Sequence, residues 1–102
     1  MKKVLITGAN KGVGFETARQ LLRQGYFVYL GSRNLSNGLE AVEKLKTEGL
    51  DNAEAIQLDV TDAASVLSAR NLIGEKTQVL DALINNAGIN GGMPQSALEA
   101  NI

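Results

Sequence analysis

The residues that can do chemistry in this chain are few, and they fall at the ends of short apolar runs. The first group is Thr7-Gly8-Ala9-Asn10-Lys11-Gly12-Val13-Gly14. Its glycine pattern, G-x-x-x-G-x-G, departs from the general dinucleotide fingerprint G-x-G-x-x-G but asks for the same physics. Gly8 permits a tight turn off a strand, and Gly12 lets backbone approach a pyrophosphate with no Cβ in the way. Gly14 lets the following helix pack closely on that strand. A helix beginning here offers free N–H groups and a positive dipole end to phosphates. The same glycines would also serve an ordinary strand-to-helix turn. The phosphate loop of nucleoside triphosphatases is excluded, because no G-K-[ST] follows at its spacing.

The second group is Gly31-Ser32-Arg33-Asn34, and no acid lies anywhere from Tyr26 through Asn37. A dinucleotide site that holds an unphosphorylated ribose usually has an acid there to chelate the hydroxyls. Arg33 stands instead where it can meet a 2′-phosphate, and Lys11 can approach from the glycine loop. Two cations converging on a dianion argue for NADP over NAD, with solvated surface groups as the alternative. The third group is Leu58-Asp59-Val60-Thr61. Asp59 can accept from an adenine amino group with Val60 against the ring, or the segment can serve the next helix through capping by Thr61 or Asp62. The fourth is Asn85-Asn86-Ala87-Gly88. Its small residues would keep a crevice floor open while its amides tie strand ends together or face a ribose; a strand-ending Asn turn uses the same residues.

What is absent narrows the chemistry further. The 102 residues contain no Cys and no His, which excludes disulfides, thiolate or histidine metal sites and Ser-His-Asp catalysis. The chain is 44% hydrophobic and 21% charged with a net charge of -1, the balance of a globular domain or part of one. No apolar run approaches the ~18 residues of a membrane span. Met1-Lys2-Lys3 precedes too short an apolar run for a signal peptide, so a cytoplasmic location is the expectation. Charge is uneven: residues 1–34 carry six basic side chains against one acid, and residues 35–102 carry four against ten. A basic first third suits a phosphorylated ligand. Nucleic acid is a poor partner for a chain with no dense basic run and four aromatic residues.

These groups need elements to hold them. Lys3–Thr7, Tyr26–Leu30, Ala55–Leu58 and Leu80–Asn85 read as buried strands. Between them lie helices. The first spans Val13–Gln24, with Val13, Ala18, Leu21 and Leu22 near one face and Gly25 at its C′ position. The second carries Leu39, Val42 and Leu45, is capped by Asn34, Ser36 or Asn37, and ends at Gly49. The third buries Val66, Ala69 or the stem of Arg70, and Ile73. Residues 86–102 read as a loop, with a further helix starting near Ser96. The βαβαβαβ order predicts an α/β fold, a doubly wound parallel sheet in the order 3-2-1-4 with helices on both faces. In that order the chain reverses between strands 1 and 4, and ligands bind at the carboxyl ends where it does so. The glycine loop and Asn85–Gly88 fall at those two ends.

Taken together, Thr7-Gly8-x-x-x-Gly12-x-Gly14, Asp59 and Asn85-Asn86-Ala87-Gly88 resemble the short-chain dehydrogenase/reductase family from Val4 to about Gly92. The Lys11 and Ser32-Arg33 positions are similar to its NADP-dependent carbonyl-reductase-like members. The resemblance implies a Rossmann-type fold in which Gly8, Asn10, Lys11, Gly12, Val13 and Gly14 hold cofactor phosphates. It implies Lys11, Ser32, Arg33 and Asn34 around the 2′-phosphate, Asp59 and Val60 at the adenine, and Asn86, Ala87 and Gly88 beside a ribose. Thr7 and Asn85 look like sheet-stabilising residues.

The family's chemistry comes from a Tyr-x-x-x-Lys pair, a preceding Ser and a helix-borne Asn. Here Tyr26 is followed four residues on by Leu30 and Tyr29 by Arg33, so neither is that pair, and both are expected to pack on strand 2. Asn101 falls too soon to be the helix-borne Asn. The expectation is the NADP-binding half-domain, residues 1–102, of an oxidoreductase acting on a carbonyl or alcohol, with no catalytic residue and no metal ligand of its own and its catalytic half absent. The alternative is a non-catalytic nucleotide-binding or association module. A methyltransferase-type sheet would want an acid after strand 2. An apolar fourth strand left at the sheet edge predicts a homo-oligomer or dependence on a further C-terminal segment.

Overall fold

The computed structural model describes residues 1–77 and 79–86. Its elements are β1 (Lys3–Ile6), α1 (Gly12–Arg23), β2 (Phe27–Ser32), α2 (Leu35–Thr47), β3 (Ala53–Gln57), α3 (Ala63–Lys76) and β4 (Ala82–Ile84). All strand pairs are parallel, and the sheet order is β3-β2-β1-β4, the partial Rossmann-type arrangement expected from the alternation of apolar runs. The expected helix beyond residue 95 lies outside the described residues.

Alternation along each strand divides the core between the two sheet faces. Val4, Ile6, Val28 and Leu30 meet Ala18 and Leu22 of α1 and Ala41, Val42 and Leu45 of α2. Leu5, Tyr29 and Ile56 meet Val66, Ala69 and Ile73 of α3 on the other face. Helices therefore cover both faces, and the strand ends are left to the loops.

The helix boundaries follow from local chemistry. Asn34 caps α2, its Oδ1 accepting from the N–H groups of Ser36 at 2.9 Å and Asn37 at 3.4 Å. Asp62 caps α3, with Oδ1 accepting from Ala64 N–H at 3.0 Å and Ser65 N–H at 3.4 Å. At the end of α1, Gly25 N–H bonds Leu22 O at 3.1 Å and Tyr26 N–H reaches back to Leu21 O at 3.1 Å, the paired closure of a Schellman motif.

Several expectations need correction. Strand β2 runs on through Gly31 and Ser32, β3 begins at Ala53, and β4 is only three residues long. Val13 does not join the apolar face of α1: it is 75% exposed. Leu39 is likewise 54% exposed, and the buried stripe of α2 is Gly38, Ala41, Val42 and Leu45. A Cβ on Gly38 would lie 3.1 Å from Ser32 Cβ and 3.3 Å from Ala55 Cβ, so the helix comes close to the sheet through its smallest residue.

Candidate functional site

The carboxyl ends of β1, β2 and β3 and the residues after β4 enclose a cavity of about 710 Å³, within the size range of small-molecule sites. Its wall is built from four loops. The turn after β1 contributes Gly8, Asn10 and Lys11; the β2 end and the start of α2 contribute Ser32, Arg33, Asn34 and Asn37. The turn after β3 contributes Leu58, Asp59, Val60 and Thr61, and Asn86 closes the β4 side. The four sequence groups, far apart along the chain, meet at one place.

The turn after β1 is held by its neighbours. Thr7 N–H donates to Ile84 O at 3.0 Å, and Ala9 N–H donates to Gly31 O at 2.9 Å. Thr7 Oγ1 bonds Asn85 Oδ1 at 3.1 Å, which makes these two residues ties between strand ends. Asn86 Nδ2 donates to Gly8 O at 3.2 Å, so this amide anchors the glycine turn as well as lining the cavity. Gly12 takes φ +63° with open space where a Cβ would stand, leaving its backbone approachable from outside. Gly14 is the opposite case: its Cβ would fall 2.7 Å from Gly8 O and 2.8 Å from Asn86 Nδ2. Neither Gly12, Val13 nor Gly14 lines the cavity itself; they form the start of the helix behind it.

The electrostatics of that helix start are distinctive. No side chain caps α1, its N-cap residue is Lys11, and its first turn holds no acid. A cation at the positive end of a helix dipole is unfavourable unless an anion shares the site. Among the described residues, Lys11 and Arg33 are both exposed and neither takes part in an ion pair.

Asp59 serves the turn that leads into the next helix. Its Oδ1 accepts from Thr61 Oγ1 at 2.6 Å and from Thr61 N–H at 3.0 Å, a local turn ahead of the helix that Asp62 caps. Those bonds, with the positive Arg33 adding a smaller effect, hold the carboxyl below its ordinary range, so it is an anion at neutral pH. Oδ2 carries no hydrogen bond among the described residues. Val60 is buried at the cavity wall.

Ser32 differs from expectation in how it serves. It is 1% exposed and its Oγ donates to Asn34 O at 2.8 Å, so it shapes the loop beneath Arg33. Asn37, Leu58 and Thr61 line the cavity and were not among the expected site residues. The sequence offers Asn37 and Thr61 only as helix caps; that Asn34 takes the capping of α2 and leaves the Asn37 carboxamide without a hydrogen bond among the described residues is not legible from spacing. Ala87 and Gly88 lie outside the described residues. Tyr29 is 2% exposed on the α3 side of the sheet, and burial pushes its phenol pKa up; Tyr26 packs half-buried against the other core.

Among the described residues, no helix is long and apolar enough to cross a membrane, and no three potential metal ligands cluster. The family model for short chain dehydrogenases matches residues 2–101. A (+)-neomenthol dehydrogenase from Capsicum annuum is 48% identical over 98 residues, taking in 93% of this chain and 31% of that protein. The structure of menthone neomenthol reductase from Mentha piperita superposes with a TM-score of 0.82 at 44% identity, covering 88% of this chain and 32% of that one. RhlG from Pseudomonas aeruginosa, in an active-site complex with NADP, superposes with a TM-score of 0.77 at 27% identity, covering 83% of this chain and 34% of that one. The chain thus spans about a third of the length of the relatives it matches. Sheet order, loop placement and a family match that runs almost end to end agree, and the chain belongs to the short-chain dehydrogenase family.

Proposed function

We propose that this chain is the NADP(H)-holding portion of an oxidoreductase that moves a hydride between NADPH and a carbonyl or alcohol substrate. The observation that carries the reading is an uncapped helix start beside two cations, Lys11 and Arg33, that line one cavity and make no ion pair among the described residues. No acid at the end of β2 competes with a 2′-phosphate there. When bound, the nicotinamide supplies the hydride. The residues of this chain bind and orient it. The start of α1 receives the pyrophosphate beside the open backbone of Gly12, while Lys11 and Arg33 hold the 2′-phosphate over the loop shaped by Ser32 and Asn34. Asp59 Oδ2 accepts from the adenine amino group with Val60 against the ring, and Asn86 faces a ribose. Relatives named as dehydrogenases and reductases, one of them in complex with NADP, support the assignment.

Carbonyl or alcohol chemistry and homo-oligomerisation are proposed for the whole protein, in a cytoplasmic setting. A nucleotide-binding module without catalysis is the second reading. It is favoured by Tyr29 being buried on the α3 side of the sheet, away from the cavity. Hydride transfer from NADPH by the whole protein separates the two.

The test of cofactor preference is Arg33→Asp. A charge-assisted hydrogen bond contributes about 1.5–3 kcal/mol, so NADPH affinity should fall roughly ten- to a hundredfold while NADH affinity changes little. Nucleotide titration followed by fluorescence or calorimetry reads both. Equal losses for the two nucleotides would remove the 2′-phosphate assignment.

A further inference from the structure

Arg33 and Asp59 stand at the ends of the neighbouring strands β2 and β3, and both line the cavity. The strand register ends at the Ser32–Gln57 pair, followed by one backbone bond from Leu58 N–H to Ser32 O at 2.8 Å. Past that point a run of side-chain hydrogen bonds carries the connection. Asp59 N–H donates to Ser65 Oγ at 2.9 Å, Ser65 Oγ–H donates to Gln57 Oε1 at 2.8 Å, and Gln57 Nε2 donates to the Arg33 carbonyl at 3.0 Å. Every donor points the same way along the relay. Turning the Gln57 amide over would set its Oε1 against the Arg33 carbonyl, so the neighbours select one orientation. Neither Gln57 nor Ser65 lines the cavity. Ser65 is buried where α3 meets the sheet, and Gln57 is exposed at the end of β3.

We propose that Gln57 and Ser65 are positioning residues for the 2′-phosphate preference, an inference that rests on the NADP reading above. The relay fixes the Arg33–Asn34 peptide from one side, while Ser32 Oγ holds the Asn34 carbonyl from the other. The backbone under Arg33 is thereby set before any ligand arrives, and its spacing from Asp59 is set with it. A long cationic side chain on a fixed base loses less freedom on meeting a phosphate than one on a mobile loop.

The test measures NADPH and NADH affinities of the full chain for the native protein, Gln57→Leu, Ser65→Ala and the double variant, alongside thermal unfolding. Gln57 is exposed, and Ser65→Ala removes one atom, so both substitutions leave the core filled. Each single variant should narrow the NADPH-to-NADH preference about three- to tenfold, the worth of one hydrogen bond. The double variant should narrow it no further than either single, because the relay is broken once. A preference kept intact in the variants, equal losses for both nucleotides, or effects that multiply in the double variant would each overturn the relay and leave the NADP reading standing. A native protein with no preference for NADPH would overturn both.

Discussion

Gly14 is confined from two sides, by a backbone carbonyl and by a side-chain amide. The Gly8 carbonyl belongs to the turn, and Asn86 Nδ2 is itself bonded to that carbonyl at 3.2 Å. One added methyl therefore presses on the helix start, the glycine turn and the end of β4 together. Overpacking of this kind costs about 1–3 kcal/mol. Gly14→Ala should lower stability by that amount in urea unfolding. It should also weaken NADPH and NADH alike, since the pyrophosphate is common to both; unchanged affinities would make the loop an ordinary turn. At this scale the residue types were legible and their partners were not. The glycine spacing marked Gly14 as a close-packing position, but the group it packs against, Asn86, comes from the far end of the described chain. The sequence allows Asp59 either an adenine or the next helix, and only geometry shows that Thr61 bonds one of its oxygens.

The three helices begin in two different ways. Asn34 and Asp62 cap α2 and α3 with side-chain oxygens, while α1 starts bare behind Lys11. Stability at the start of α2 should therefore depend on Asn34. Asn34→Ala should cost about 1 kcal/mol in equilibrium unfolding, the usual worth of such a cap, whereas Asn34→Asp should lie within a few tenths of native. An alanine variant as stable as the native chain would mean that Ser36 or Asn37 can take over. The α3 stripe is legible in the sequence: Val66 and Ile73 lie in the core, and of the two alternatives between them it is Ala69, not the Arg70 stem, that is buried. In α2 the stripe holds at Val42 and Leu45, but Leu39 lies off it and Gly38 and Ala41 complete it. The true stripe starts at Gly38, and a glycine carries no hydropathy signal although close approach to Ser32 and Ala55 is what selects it.

Sheet order and the meeting of four loops at one cavity were legible because parallel neighbours demand crossovers and crossovers have one hand. Among the described residues the same logic leaves β4 at one edge of the sheet, with β3 at the other. Strand β4 pairs with β1 through only Val4–Ala82, Leu5–Leu83 and Ile6–Ile84, and Lys3 N–H to Asp81 Oδ2 at 2.7 Å reinforces its entry. Among the described residues nothing pairs with its outer edge. Ala82 is exposed, Leu83 and Ile84 are half-buried, and Val79 on the approach is 63% exposed. Such an edge templates pairing with another strand, and a single lysine is an effective block. The 102-residue chain should therefore associate increasingly with concentration in light scattering coupled to size exclusion, and Ala82→Lys should return it toward monomer. Ala82 is the position for the charge because its side chain already meets solvent, so the lysine leaves both cores intact and acts on the edge. If the native chain stays monomeric across the whole concentration range, the edge is closed by other means and β4 exerts no pull on a partner strand.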